Sequence, residues 1–201
     1  MIPRLHKLRN FVYQLEVDLP VGYAEMVNLL KAETWPHDKI GYGQSDLAAR
    51  YRLNDPVNPV LKQILDTISS SDFKKSIIAK LYSEVGGESD FPGLWGISPE
   101  KMAAITFTYA GYVKDQPGHL IRIHTDDRMH VVQGMIYFIN GDDPDQATTF
   151  YTAKDHKNPV RITTGHGQGF MAANTNDGWH AGHNVSDQDR YSVIFGLRLN
   201  L

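Results

Sequence analysis

The chain has 201 residues, no cysteine, a formal net charge of −3 at pH 7 and a pI near 6.3. Hydrophobic residues make up 41% and charged residues 21%, the balance of an ordinary globular domain. The composition excludes disulfides and thiolate metal sites, and it gives no reason to expect nucleic acid or an anionic membrane as a partner. Since we see neither a secretory signal nor a run of about 18 apolar residues, we expect a cytoplasmic protein.

The first half of the chain predicts one strand and three helices. Alternating residues predict a strand at 11–17, and apolar spacing predicts a helix over 23–32. Further helices are predicted from Asn58-Pro59 to Ile68, and from a cap at Ser71-Asp72 to just before Gly86. Residues 35–57 are rich in Gly, Asp, Pro and aromatic residues and are interpreted as irregular surface.

Residues 86–98 combine several glycines with Phe91, Pro92 and Trp95. Such a segment is typical of a packed loop whose aromatic side chains cover the mouth of a barrel. It also occurs in lids that close over a substrate, which is the less favoured interpretation. Both interpretations stay open.

Short strands dominate the chain from residue 104 onward. They are predicted at 104–110, 119–124, 131–140, 147–152, 159–163, 167–173 and 190–199. Seven such strands, joined by turns rich in Gly, Asn, Asp and Pro, indicate a sandwich or barrel. We therefore expect a single mainly β domain over 1–201 (α+β), with residues 1–100 supporting a core formed by 101–201 and about three helices buttressing it.

Three residues of the second half have the character of metal ligands. His124 and Asp126 leave the same face of an extended chain, and His180 would arrive from a different strand. Two histidines and one carboxylate on one face leave open positions on the metal, which is typical of non-haem Fe(II) oxygenases. Asp127 competes with Asp126, but strand geometry points it to the opposite face. The alternative is a surface histidine beside a turn carboxylate.

An arginine and a serine follow on the last strand. Arg190 and Ser192 share a face within a strongly apolar segment, so the guanidinium needs a partner. The far carboxylate of a dicarboxylate such as 2-oxoglutarate would supply one, because arginine presents a rigid fork to a carboxylate. The alternative is an ordinary surface arginine. Arg122 shares the face of His124 and either lines the same cavity or forms a salt bridge at its rim.

The ordered set His124-x-Asp126, His180 and Arg190-x-Ser192 resembles the Fe(II)/2-oxoglutarate-dependent oxygenases. The surrounding segments resemble the prolyl 4-hydroxylase-like branch of that superfamily. These segments are Thr108-Tyr109-Ala110-Gly111, Met135-Ile136-Tyr137-Phe138-Ile139-Asn140 and Thr149-Phe150-Tyr151. The resemblance covers about residues 104–200 and implies a distorted double-stranded β-helix, or jelly roll. The chain departs from the family at Gln146-Ala147-Thr148-Thr149, where a Gly-Gly pair is usual.

The resemblance also implies the cofactors and the residues that bind them. It implies Fe(II) and 2-oxoglutarate, with ascorbate as a reductant that such enzymes can use. The implied metal ligands, which also form the catalytic set, are His124, Asp126 and His180; the implied contacts to the cofactor are Arg190, Ser192 and Tyr109. The interval to Arg190 selects His180 over its rivals His166 and His183. Either Tyr137 or Phe138 faces the cofactor, and Thr149 is a weaker candidate for the cavity wall.

The activity implied is hydroxylation of an unactivated C–H bond, with O2 consumed and succinate and CO2 formed. The substrate would be a prolyl residue in a peptide or protein, or a small amino-acid-like molecule. Two other classes compete with this hypothesis. One is a non-catalytic sensor module that binds metal and 2-oxoglutarate, and the other is a cupin-like metal isomerase or hydrolase, which predicts no role for Arg190-x-Ser192.

Overall fold

The computed structural model describes residues 3–9, 11–36, 50–85, 97–127, 129–152, 157–174 and 178–200. The expected cover or lid at 86–98 therefore lies outside the described residues, apart from Ile97 and Ser98. Among the described helices, none is long and apolar enough to cross a membrane.

The described residues form eleven strands and four α-helices. The strands are β1 (Arg4–Arg9), β2 (Val12–Glu16), β3 (Arg50–Leu53), β4 (Thr106–Asp115), β5 (His119–His124), β6 (His130–Phe138), β7 (Thr148–Tyr151), β8 (Val160–Arg161), β9 (Gln168–Ala173), β10 (Trp179–Asn184) and β11 (Arg190–Leu199). The helices are α1 (Tyr23–Ala32), α2 (Pro59–Ile68), α3 (Ser71–Val85) and α4 (Pro99–Ile105), and a 3-10 turn spans Pro144–Gln146.

The strands form two antiparallel sheets. The larger sheet has the order β1-β2-β9-β6-β11-β4-β3, and the smaller has the order β5-β10-β7-β8. The sheets pack on each other through a small apolar cluster, in which the rings of Phe150 and Phe170 meet edge to face at 5.1 Å. The predicted mainly β class with N-terminal helices is confirmed.

The helices cover the other face of the larger sheet. Because side chains alternate along a strand, Val193 and Phe195 of β11 point to the helices, and the Phe195 ring meets Phe73 of α3 at 5.5 Å. Burying one such side chain stabilises the fold by about 1.5–3 kcal/mol. The helices thus anchor the sheet from behind, and the alternate residues of the same strands remain available for a site between the sheets.

The helix predictions are confirmed with two changes. The bounds of α1 and α2 match the sequence pattern, with Asn58 Oδ1 accepting from the Val60 amide at 2.9 Å. The cap of α3 is Ser70, not Ser71-Asp72, since the Ser70 hydroxyl accepts from the Phe73 amide at 3.2 Å. Helix α4 was not predicted. Its last residues were assigned to a strand that in fact begins at Thr106.

The interpretation of residues 35–57 as irregular surface is wrong at β3. Arg50 lies opposite Asp115 and Leu53 opposite Tyr112 of β4, so this four-residue strand closes the edge of the larger sheet. Such a short strand, with arginine at alternate positions, has too little apolar periodicity to be recognised. Strands β1, β2 and β3 all belong to the larger sheet, together with four strands from the second half of the chain.

Close approach of β9 to β6 depends on a glycine, which generates a stability prediction. A Cβ at Gly169 would lie 1.8 Å from the Met135 carbonyl oxygen, and backbone cannot move aside cheaply. We expect Gly169→Ala to lower the free energy of unfolding by roughly 1–3 kcal/mol, as overpacking does. The measurement is urea denaturation, with Gly22→Ala as control because nothing lies within 4 Å of its added Cβ. Equal stability of the two variants would contradict this packing.

Candidate active site

A cavity of about 580 Å3 lies between the two sheets. Residues of both sheets line it, with a histidine and carboxylate cluster in one part and a buried arginine cluster in another. A second cavity, of about 750 Å3, lies near α1 and Asp187 and Asp189. Among the described residues, the only group of metal-binding type is the one in the first cavity.

The metal-binding group consists of His124, Asp126 and His180, whose potential ligand atoms all lie within 4.8 Å of one another. The two Asp126 oxygens lie 3.8 Å from His124 Nε2 and 3.9 Å from His180 Nε2. Each Nδ1 lies against a backbone carbonyl, that of Arg122 at 2.8 Å and that of Gly178 at 3.0 Å. This holds Nδ1 as the protonated nitrogen and leaves both Nε2 atoms as acceptors facing the carboxylate. The donor set fits Fe(II).

Strand pairing brings the two histidines together. His180 on β10 lies directly opposite His124 on β5, and two residues further on Gly182 lies opposite Ile121. Strand β5 therefore carries one extra residue, a bulge that lets both Ile121 and His124 line the cavity. Arg122 lies in this bulge. It is exposed and also lines the cavity, so the cavity-lining alternative for Arg122 is the one the structure favours.

The rival residues do not join the metal-binding group. Asp127 accepts from the Met129 amide at 3.1 Å and pairs with Arg198 at 3.6 Å. His166 Nε2 lies 2.8 Å from the Val21 carbonyl, and the half-buried His183 places its Nε2 2.9 Å from the Pro144 carbonyl. Among the described residues, the structure thus groups only the three predicted ligands.

Burial in this part of the cavity favours the neutral forms of His180 and Tyr109. Burial lowers the pKa of His180, and Asp126 opposes that effect. Burial also raises the pKa of Tyr109 well above its usual value, and the Asp126 charge acts in the same direction. The Tyr109 hydroxyl lies 3.4 Å from His130 Nδ1, so this residue, predicted as a cofactor contact, lies at the metal part of the cavity.

The second polar cluster is centred on Asp115. The residues Arg50, Asp115 and Arg190 lie side by side on β3, β4 and β11. Arg50 donates from Nε to Asp115 Oδ1 at 2.6 Å and from Nη2 to Oδ2 at 3.0 Å. Arg190 donates to Oδ2 from Nε at 3.0 Å and from Nη2 at 2.5 Å. Burial would raise the pKa of Asp115, but the two guanidinium groups outweigh it and hold that pKa well below its usual range.

Arg190 is therefore already paired within the protein. Its Nη1 donates to the backbone carbonyls of Gln146 at 3.0 Å and His183 at 2.8 Å. We expected a bound carboxylate to be the partner of Arg190. The structure corrects this expectation, because Nε and Nη2 of Arg190 already donate to Asp115. Ser192, two residues on, faces the same side, and within the described part of the chain its buried hydroxyl has no hydrogen-bond partner.

The choice between Tyr137 and Phe138 is settled by the register of β6. Tyr137 faces the smaller sheet and donates its hydroxyl to Thr148 Oγ1 at 2.7 Å, with its ring 5.7 Å from the Arg190 guanidinium carbon. Phe138 faces the helices. The cavity wall on β7 is formed by Thr148 and not by Thr149.

Sequence reasoning missed two polar residues of the cavity wall and the buried carboxylate that pairs with its arginines. They are Arg50, Asp115 and Gln133, whose Nε2 lies 3.1 Å from His180 Nε2. Asp115 carried a usable signal, because it follows the apolar pair Tyr112-Val113 and must be buried once β4 extends to residue 115. Arg50 carried none, since its strand was interpreted as surface.

Comparison with known proteins shows which fold this is. No family model matches the sequence, and no curated protein matches it. Many solved structures match instead, and three of them are described here. They are a Pseudomonas putida prolyl-4-hydroxylase (14% identity, TM-score 0.60, 95% of this chain and 94% of that one), a Trichoplax adhaerens prolyl hydroxylase in complex with a hypoxia inducible factor peptide fragment (10%, 0.59, 94% and 84%), and HygX from Streptomyces hygroscopicus with nickel and 2-oxoglutarate bound (8%, 0.55, 95% and 84%).

The chain has the fold of these oxygenases. The expected jelly roll of the 2-oxoglutarate oxygenases is thereby confirmed, and the structural likeness covers nearly the whole chain rather than residues 104–200 alone. At such low identity the likeness shows the fold, and the chemistry has to be argued from the residues of the cavity.

The ligand geometry predicts that neighbouring aspartates differ in their effect on metal binding. We expect Asp126→Ala to weaken binding of Co(II), a spectroscopic substitute for Fe(II), by at least about 10-fold, because it removes the carboxylate between the two Nε2 atoms. Asp127→Ala is the matched control and should bind Co(II) nearly as wild type. Calorimetric titration of the apoprotein measures both, and the reverse order would show that Asp127 is the ligand.

Proposed function

We propose that this protein is an Fe(II)- and 2-oxoglutarate-dependent oxygenase that hydroxylates an unactivated C–H bond. The observation that carries the proposal is the grouping of His124, Asp126 and His180, with both Nε2 atoms turned to the carboxylate, in a cavity that also holds buried arginine. Two histidines and a carboxylate on one side of a metal leave room for a chelating keto acid and O2.

The protein's own residues hold and orient the reactants. His124, Asp126 and His180 would hold the metal, and the two backbone carbonyls behind the imidazoles fix the ring orientation. When bound, Fe(II) and 2-oxoglutarate supply the oxidising chemistry, in which one oxygen atom of O2 enters the substrate as hydroxyl and the other enters succinate as CO2 is released. Ascorbate would serve as an external reductant.

The other end of 2-oxoglutarate would lie at Arg190 and Ser192. Four of the five N–H groups of Arg190 already donate to protein acceptors, so it offers one remaining Nη2 hydrogen and its charge. Ser192 offers a buried hydroxyl. Space for the acid exists beside them, because Gly182 has no side chain and a Cβ there would lie 3.9 Å from Arg190 Nη2. The Streptomyces neighbour binds nickel and 2-oxoglutarate, which supports the choice of this acid as the ligand.

For the substrate, we propose a prolyl residue in a peptide or protein, or a small amino-acid-like molecule. Two of the structural neighbours described above are prolyl hydroxylases, and one of them holds a peptide. The wall of the cavity carries apolar and aromatic groups that suit such a substrate, among them Tyr109 and Phe107, which is 44% exposed. Peptide and free amino-acid panels, screened for a mass gain of one oxygen, separate the two substrate classes.

The first test is anaerobic. Apoprotein loaded with Fe(II) is titrated with 2-oxoglutarate, and the visible charge-transfer band of a chelated keto acid is followed. A band that saturates supports the proposal. The absence of a band, with metal demonstrably bound, would overturn the proposal and favour a cupin-like isomerase or hydrolase.

A pair of histidine variants then tests the reaction itself. We expect His180→Ala to abolish 2-oxoglutarate-dependent formation of succinate, because a buried metal ligand is lost. His183→Gln should keep most of the turnover, since its half-buried imidazole lies against the Pro144 carbonyl and is not part of the metal-binding group. Succinate is quantified by mass spectrometry in the presence and absence of O2. Turnover retained by the first variant and lost by the second would show that the third ligand is misassigned.

A further inference from the structure

The cluster around Asp115 contains one more cation than it contains anions. Arg50 and Arg190 carry two positive charges and Asp115 one negative charge, and all three side chains are buried, at 8%, 1% and 0% exposure. Both arginines line the cavity. A buried charge without a counter-charge is costly, so the surplus positive charge calls for an anion.

The described lining of the cavity offers no further carboxylate to this cluster. The two carboxylates of that lining are Asp126, which lies between the histidine Nε2 atoms, and Asp127, which pairs with Arg198. Within the described part of the chain, the cavity thus leaves the surplus charge unbalanced, and an anionic ligand bound there would balance it. A carboxylate is the chemical class that guanidinium groups recognise best.

The two arginines do not share Asp115 equally. Arg50 contacts both carboxylate oxygens, each through its own nitrogen, in the parallel arrangement that makes arginine–carboxylate pairs strong. Arg190 donates from Nε and Nη2 to Oδ2 alone. Its Nη1 donates to the Gln146 and His183 carbonyls. Arg50 is thus the main partner of Asp115, and the orientation of Arg190 has support that does not depend on Asp115.

We propose that Arg50 is a positioning residue for the acid cofactor, which neutralises Asp115 so that Arg190 keeps a net positive charge toward a bound carboxylate. The inference rests on the proposed function. Without Arg50, Asp115 and Arg190 would form a neutral pair. The net positive charge that attracts a carboxylate would then be lost. Removing Asp115 as well would restore the positive charge of Arg190, although the cluster would then be smaller by two charges.

A charge-counting set of variants tests the proposal. The dissociation constant of 2-oxoglutarate is measured anaerobically with Fe(II) for wild type, Arg50→Met, Asp115→Asn and the double variant. The titrations are run at pH 8, above the ordinary pKa of imidazole, because His119 Nε2 lies 3.5 Å from Asp115 Oδ1. We expect Arg50→Met to raise the dissociation constant by at least about 10-fold, as loss of one partner of a buried charge pair does.

The double variant separates charge from architecture. We expect it to bind 2-oxoglutarate within about threefold of wild type, because its cluster again carries one positive charge. A merely structural role for Arg50 predicts that the double variant binds as weakly as Arg50→Met or more weakly. That result would overturn the proposal, and so would an unchanged dissociation constant in Arg50→Met.

Two controls keep the outcomes distinct. Fe(II) affinity, measured without 2-oxoglutarate, should match wild type in every variant because no metal ligand is changed, and circular dichroism reports folding. If Arg50→Met does not fold, the dissociation constants of 2-oxoglutarate for Arg50→Lys and the double variant are compared with wild type instead. Weak binding by both of these variants would overturn the proposal. Failure of wild type to bind 2-oxoglutarate at all would instead refute the proposed function.

Discussion

The two-residue period of strand β11 is the constraint on which the rest of the structure depends. This strand pairs with β4 on one side and β6 on the other along almost its whole length. Its odd-numbered residues from Tyr191 to Leu197 are buried toward the helices, so Arg190 and Ser192 must point the other way. The apolar face fixes the register of the strand, since a slip by one residue would bury the guanidinium against the helices.

The same register sets the electrostatic character of the cavity. Strands β3, β4 and β11 place Arg50, Asp115 and Arg190 at one level, so three charges that are far apart in the chain become neighbours. Strands β5 and β10 place two histidines opposite each other, where Asp126 joins them. One cavity therefore carries a carboxylate between two histidines in one part and a surplus of positive charge in another, as the proposed function requires.

These two sites together distinguish the proposed function from its competitors. A cupin-like isomerase or hydrolase has no functional role for the arginine cluster. Burying two guanidinium groups costs desolvation free energy, so a cluster without a function would be unexpected. A sensor module would need both sites as well, and turnover under O2 is what separates it from an enzyme. The low identity to known oxygenases is compatible with the shared fold, because a jelly roll constrains the pattern of buried residues far more than their identity.

The sequence by itself determined the local facts of this protein. Helices α1 and α2 and the strands around the ligands followed from periodicity and caps, because those signals lie within a few positions of each other. The candidates His124, Asp126 and His180 followed from residue chemistry together with the family resemblance. The distinction between Asp126 and Asp127 also followed from the alternation of a strand. The order of His180 and Arg190 in the chain was enough to suggest a metal and an acid.

Only the tertiary structure decided which distant groups meet. Strand β3 has no recognisable sequence pattern and forms by pairing with the edge of β4. The position of Arg50 beside Asp115 could therefore not be predicted from the sequence. The partner of Arg190 was expected to be a ligand, and the fold supplied Asp115 first. Tyr137 was separated from Phe138 only by the register of β6. Burial and pairing between residues remote in sequence depend on how strands are arranged, and a single sequence records that arrangement only indirectly.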